Sequence, residues 1–298
     1  MVGLTVLLAL MQTWTPPRTS DGQPDLQGYW ATATLTPLER PAEFAGKEFL
    51  TEQEAAEYEH RLLNELNSDR RDGSADVDLR RNYNEFWRDR GTTLVASRRT
   101  SLVVDPRDGK IPPLTPEARR KQAARAEGGL LLRGPEDLAL RIRCLSRDLP
   151  MIPTPNNNFL QIVQGPGYVA IYQEMMHEYR VIPLDGRPHA DSRIRGYMGD
   201  SRGRWEGQTL VIDTTNFIGK SNFYGADENL HLTERLTRTA PDIILYQFAV
   251  DDPTAFTRAW SGELSMRRTQ EAVFEYACHE SNYSMTNILS GARTAEKK

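Results

Sequence analysis

The sequence predicts a mainly β protein: an antiparallel meander closed as a β-barrel, or folded as a sandwich, with a helical and extended N-terminal half wrapped around it. Three observations predict this. After Asn158 the chain is a succession of strand-length runs rich in branched and aromatic residues: "FLQIVQG", "YVAIYQEMMHEYRVIPL", "TLVIDTTNF", "HLTERLTR", "IILYQFAV", "FTRAWSGELSM" and "VFEYACHES". Hairpin punctuation separates them, at Gly165-Pro166-Gly167, Asp185-Gly186, Glu206-Gly207-Gln208 and Asp251-Asp252-Pro253. No helical pattern intervenes and no repeat of fixed period appears, which weighs against a propeller or solenoid. A long meander removes its edges by closing, which favours the barrel over the sandwich.

The first half has a different texture. Thr51 and Glu54 stand at capping-box spacing at the head of "FLTEQEAAEYEHRLLNEL", which predicts a helix to about Asn67. A second helix follows Pro116 and stops at the glycine pair 128–129, and a third, short one starts near "GPEDLALRIRC". Between them, "TTLVASRRTSLVVDPRDGKIPPL" reads as one strand pair or as an extended strand ending at Pro106, with a turn at Asp108-Gly109. The expected divisions are an export segment over 1–20, a helical and extended wrap over 21–155, and the barrel over 156–293.

A net charge of −4 argues against a nucleic-acid surface, which needs a basic excess. The apolar run from Val2 to Met11 is about half of a bilayer span. It fits the h-region of a signal peptide, although a charged n-region and an A-x-A site are missing; a clipped start accounts for both. A buried N-terminal strand or helix turn is the other reading. Export places the protein in the periplasm or outside the cell, with no integral membrane association. Cys144 and Cys278 are 134 positions apart and make no C-x-x-C pair. In an exported chain they are expected to form a disulfide, contributing about 4–5 kcal/mol in the chain-entropy model. In a cytosolic chain they are two buried thiols.

Candidate chemistry starts from five histidines. Read as one strand, "IYQEMMHEYRV" puts Ile171, Gln173, Met175, His177 and Tyr179 on one face and Tyr172, Glu174, Met176, Glu178 and Arg180 on the other. The adjacent His177 and Glu178 therefore do not act as a unit, and neither do His279 and Glu280 in "YACHESNY". This leaves His177 with His279, or either one with a carboxylate from another strand. Asp213 sits amid the apolar strand "LVIDTTNF", where a carboxylate must be solvated, paired or functional. Facing inward it orients His177 or His279, or acts as a base; facing an arginine it pairs with Arg204 or Arg235. The expected catalytic set is thus His177, Asp213 and His279, with Arg204 or Tyr179 holding an oxyanion. Tyr172, Met175, Tyr179, Arg204 and Trp205 are the expected ligand contacts. "GDSRGRWEG" reads as two tight turns with Trp205 closing the core, or as a rim with Trp205 as a stacking platform. His231 is a candidate third metal ligand, but no H-x-H spacing occurs, and neither a metal nor an organic cofactor is expected. G-x-S-x-G, phosphate-loop and H-E-x-x-H motifs are absent. The expected function is binding of a small, partly apolar organic molecule, with cofactor-independent hydrolysis, isomerisation or cyclisation. The alternatives are a non-catalytic carrier or sensor, or a structural envelope protein.

Two resemblances bear on this reading. Gly28-Tyr29-Trp30 in "PDLQGYW" resembles the opening of lipocalin-type barrels, in which the Trp plugs one end. "WTPPRTSDGQPDLQGYW", "TPLERP", "GKEFLTEQEAA", "RTSLVVDPRDGKIPPLTPEA", "GDSRGRWEGQTLVIDTTNF", "ENLHLTERLTR" and "YACHESNY" together resemble a family of uncharacterised exported proteins from environmental bacteria, over about Trp14 to Arg293. The resemblance implies export and a shared fold and carries no catalytic assignment. Members of that family usually begin with a fuller signal sequence.

Overall fold

The computed structural model describes residues 14–81, 84–128, 132–219, 223–271, 273–280 and 282–297. The expected signal h-region, Val2 to Met11, lies outside the described residues. Among the described residues ten strands form one sheet: β1 (Gly28–Ala31), β2 (Val103–Asp105), β3 (Phe159–Gly165), β4 (Tyr168–Gln173), β5 (Glu178–Pro183), β6 (Asp200–Glu206), β7 (Thr209–Thr215), β8 (His231–Ala240), β9 (Ile243–Asp251) and β10 (Trp260–Arg268). Pairing follows the order β5-β4-β3-β1-β10-β9-β8-β7-β6, with the short β2 added to β10. Every pair is antiparallel, and the nine-strand path is nearly closed into a barrel.

An odd number of strands explains why closure is incomplete. Three antiparallel steps lead from β1 to β5 and five lead from β1 to β6, so β5 and β6 run in the same direction. Parallel neighbours need a long crossover rather than a hairpin. Residues 184–199 supply it, returning the chain from the end of β5 to the start of β6. The seam is still packed: a Cβ on Gly203 would lie 2.6 Å from Leu184 and 2.8 Å from Ile182, so only glycine lets β6 come this near to β5.

Alternation along the strands fills the barrel. Leu210 and Ile212, Leu232 and Leu236, Ile244, Tyr246, Phe248 and Val250, and Leu264 and Met266 all belong to one buried core. Each such apolar side chain contributes about 1.5–3 kcal/mol on burial. Trp30 is fully buried at the end where β1 begins; its Nε1 donates to the Leu26 carbonyl at 2.9 Å. The guanidiniums of Arg238 and Arg268 lie 5.6 and 5.8 Å from its ring centre. Trp260, Phe256 and Phe223 close the other end as an aromatic cluster.

The helices are α1 (Glu52–Leu66), α2 (Ala75–Arg80), α3 (Pro116–Gly128) and α4 (Tyr283–Ala295). α1 opens on the expected capping box: the Glu54 N–H donates to Thr51 Oγ1 at 3.3 Å, and the Thr51 N–H donates to the Glu54 carboxylate at 2.9 Å. Its Ala55 and Tyr58 pack with Leu35, Leu50 and Leu94 in a small core of their own. The expected third helix is a single 3-10 turn, Pro135–Asp137. Among the described residues no helix is long and apolar enough to cross a membrane. The expected disulfide joins Cys144 and Cys278, with Cα atoms 5.7 Å apart.

Three readings of the sequence are corrected. "YVAIYQEMMHEYRVIPL" is two strands, because the chain turns at Glu174–His177, with Met176 at φ 63° and His177 at φ 40°. The turn contains no Gly, Pro or Asn, so its apolar residues concealed it. The two-turn segment "GDSRGRWEG" is strand β6, paired residue for residue with β7 from Asp200↔Thr215 to Glu206↔Thr209. Its charged outer face, Asp200, Arg202, Arg204 and Glu206, and the small Ser201 and Gly203 between them imitate a turn. "VFEYACHES" forms no strand among its described residues, because both edges of β10 are already taken by β9 and β1.

Candidate functional site at the barrel rim

β7 sends Leu210, Ile212 and Thr214 inward, so Asp213 points to the outside of the barrel wall. The register then determines its neighbours. Asp213 stands opposite Arg202 on β6 and Thr233 on β8, which makes Asp200 and His231 its diagonal neighbours on the same outer face. His231 Nε2 lies 2.7 Å from Asp213 Oδ2. Asp200 and Asp213 are two carboxylates on adjacent strands, and a third element separates them. The β5–β6 crossover inserts His189, with Nδ1 at 2.8 Å from Asp200 Oδ2 and Nε2 at 2.9 Å from Asp213 Oδ1. The result is one hydrogen-bonded chain, Asp200–His189–Asp213–His231.

The crossover is tied down on both sides of His189. Arg202 Nε donates to the Pro188 carbonyl at 3.0 Å, and its Nη2 pairs with Asp200 Oδ1 at 3.1 Å. The Ala190 N–H donates to Asp200 Oδ2 at 3.1 Å, and Asn216 Nδ2 donates to the Ala190 carbonyl at 2.9 Å. Arg195, further along the crossover, donates to the carbonyls of Phe217 and Glu228 at 3.0 and 2.7 Å, bracing the segment that leads into His231.

The two histidines differ in what they have left to offer. Both ring nitrogens of His189 face carboxylates, and an imidazole donates from both only when protonated. It is a clamp. His231 spends only Nε2 on Asp213; among the described residues its Nδ1 makes no hydrogen bond, and its side chain is 46 % exposed. Partial burial pushes the Asp213 carboxyl up, but the hydrogen bonds from His231 and His189 outweigh it and hold the group below its ordinary value. Asp213 is therefore an anion at neutral pH. By accepting from Nε2–H it favours the tautomer of His231 in which Nδ1 is the proton acceptor. Among the described residues no group of three His, Cys, Asp or Glu is placed to hold a metal ion.

The structure distributes the sequence-predicted residues differently. Asp213 is bonded to His189 and His231, not to His177, His279, Arg204 or Arg235. His177 is exposed in the β4–β5 turn, its Nδ1 3.0 Å from the Tyr276 carbonyl, and His279 is exposed just past the disulfide. Because the chain turns at 174–177, Tyr172 and Tyr179 are opposite one another on the outer face instead of on opposite faces, with Tyr179 open to solvent. Met175 is half-buried in the turn itself. Arg204 points outward and pairs with Glu206, which Arg235 also reaches. Trp205, on the other side of β6, packs against the core.

Inside the wall lies a second polar group that sequence reading also missed. Arg180 of β5 forks onto Glu234 of β8, Nη1 to Oε2 at 2.5 Å and Nη2 to Oε1 at 2.8 Å. The Tyr246 hydroxyl donates to Glu234 Oε1 at 2.7 Å and accepts the Met151 N–H at 3.1 Å. Burial, followed by the neighbouring Glu234 charge, raises the Tyr246 hydroxyl well above its ordinary value. The group is sealed in the core, where Arg180 and Tyr246 complete the hydrogen bonding of Glu234, while Arg180 Nε makes no hydrogen bond among the described residues.

His189 was missed because "GRPHADSRIRG" has neither strand nor helix period; its one usable signal is a histidine amid turn formers between two strands. The comparisons add no assignment: no family model matches the chain, and no match emerged among curated proteins or solved structures.

Proposed function

We propose that this chain is an exported β-barrel protein that binds a small, partly apolar organic molecule against the barrel rim and moves a proton on it, with His231 as the acid–base residue and Asp213 as its orienting carboxylate. One observation carries the reading: the Asp213–His231 pair holds a half-exposed imidazole at the head of a strand, its Nδ1 without a hydrogen bond among the described residues. The barrel bore is occupied by Tyr246, Phe248, Trp260 and the Arg180–Glu234 pair, which favours a ligand at the rim over one in the bore. Hydrolysis, isomerisation and cyclisation all suit a lone base without an organic cofactor. Export, to the periplasm or beyond, rests on the disulfide and on the family resemblance.

The test uses the full chain against activated esters, lactones and enolisable ketones. Turnover is expected to fall by at least about 100-fold in His231→Gln and to survive in His177→Ala and His279→Ala. Turnover unchanged in His231→Gln ends the proposal. So does a wild-type chain that turns over no compound and shows no His231 ring-proton shift with any of them. Thiol counting on the chain recovered from bacterial fractions checks export: free Cys144 and Cys278 in a cytoplasmic fraction would contradict it.

A further inference from the structure

A cavity of about 490 Å³ lies in the N-terminal half, between the 3-10 turn Ala42–Phe44 and the turn that follows β2. Arg40, Glu48, Arg107, Asp108 and Lys110 line it, alongside the small apolar residues Pro41, Ala42 and Ala45. None of these residues belongs to the rim site or to the barrel core.

Arg40 is the unusual member. It is 3 % exposed, yet among the described residues it forms no ion pair. Its Nε donates to Thr100 Oγ1 and its Nη1 to the Arg107 carbonyl, both at 2.9 Å and both to neutral oxygens. Nη2 is buried without a hydrogen-bond partner. A buried guanidinium is costly unless a negative charge compensates it. Arg180 shows the usual solution, a bidentate carboxylate. The two acids that line the cavity make no bond to Arg40 among the described residues. Glu48 pairs with Arg99 at 2.8 Å, and Asp108 Oδ1 accepts the Lys110 backbone N–H at 3.0 Å within its own turn. Arg107 and Lys110 are exposed and add two further cations at the wall. The turn is also shaped to hold Arg40 in place. Gly109, at φ +71°, accepts the Arg40 N–H at 2.8 Å, and a Cβ there would meet Ser101 Oγ at 2.4 Å and Arg40 Cβ at 3.0 Å.

We infer that this cavity binds a small organic anion, a molecule with a carboxylate, sulfate or phosphate group, whose charge compensates Arg40 and is closed over by Arg107 and Lys110. Guanidinium is the group best suited to planar or tetrahedral oxyanions, and Lys110 adds a mobile charge. The Pro41, Ala42 and Ala45 wall gives the organic part an apolar surface.

Calorimetric titration of the full chain with phenyl phosphate, benzoate and inorganic phosphate, each against sodium chloride of matched ionic strength, tests this. At least one is expected to bind, saturably and beyond the salt control. Phenyl phosphate binding more tightly than inorganic phosphate identifies an organic ligand, whereas equal affinities identify a free oxyanion; either result supports the site. The Arg107→Ala/Lys110→Ala variant, altered only at exposed positions, is expected to bind roughly tenfold more weakly. Arg40→Met is expected to abolish binding, and if it fails to fold the exposed double variant still decides. No saturable binding up to about 10 mM of any probe, or affinity unchanged in the double variant, overturns the inference. His231→Gln leaves this binding unchanged, so the cavity and the rim stand or fall separately.

Discussion

Two polar networks face each other across the same stretch of barrel wall, and β8 contributes to both. Its His231 points out to Asp213, while its Glu234, three residues on, points in to Arg180 and Tyr246. Both networks join a carboxylate to a nitrogen base at hydrogen-bond distance. They differ in solvent. Glu234 is fully buried, and Arg180 and Tyr246 complete its hydrogen bonding out of reach of solvent. Asp213 is partly exposed, and the chain it anchors ends on an imidazole with one nitrogen unused. In the core the network holds β5, β8 and β9 together; at the rim it orients a base. Strand parity alone assigns the two roles.

The largest expected effect breaks the inner network. Glu234→Ala strands the Arg180 charge in the core and is expected to lose about 3–5 kcal/mol in urea unfolding, with Arg180→Met/Glu234→Leu recovering most of it. A loss below about 1 kcal/mol means that solvent reaches the pair and the contrast with the rim fails. Reducing Cys144–Cys278 is expected to remove about 2–5 kcal/mol, since the bond closes a loop of 134 residues. It frees the segment that meets His177 at Tyr276 but leaves the rim chain intact, so the His231 ring resonances hold still while stability falls. A His231 shift on reduction would show the rim to be coupled to that segment.

Asp213→Asn is expected to cost about 1–2 kcal/mol, because it weakens charge-assisted bonds to both His189 and His231. The Asp213 carboxyl is held below its ordinary value of 3.8 in the folded chain, so its stabilisation is fully present above that pH and is lost as pH falls through the lower folded value. The wild type should therefore lose stability below about pH 4 more steeply than Asp213→Asn. Identical acid limbs would contradict an ionised, bonded Asp213. The smallest effect is the sharpest for function: His231→Gln should change stability by no more than about 0.5 kcal/mol, because the side chain is half exposed and ends the chain of bonds. A larger loss would make His231 a structural clamp like His189.

Much of the fold was legible. The runs that became β3, β7, β8, β9 and β10 alternate apolar and polar residues and are set off by turn residues, glycines after β3 and before β7 and Asp-Pro or Pro-Asp around β9, the local code for half-buried strands. The α1 capping box was equally legible, because its two partners are three residues apart. The β4–β5 turn was not, since it is made of Glu174, Met175, Met176 and His177, none a turn former, and its left-handed residues are enforced by the pairing of Gln173 with Glu178. Missing it inverted the face of every residue from Glu178 to Pro183, which is why Tyr179 was read as lining the barrel and Arg180 as facing the other way. The site was half legible. Asp213 stood out as a carboxylate in an apolar strand, and its need for partners followed from that.

By itself the sequence determined the meander, the first helix, the cysteine pair available for bonding and the one strand carboxylate that had to be satisfied, because each follows from period, composition or a spacing of a few residues. The tertiary structure alone decided what satisfied that carboxylate. Register across β6, β7 and β8 brought Asp200 and His231 to its diagonals, and the crossover demanded by an odd number of strands delivered His189 between the two acids. Those contacts join residues 11 to 24 positions apart through strand pairing and loop closure, and no local pattern encodes them.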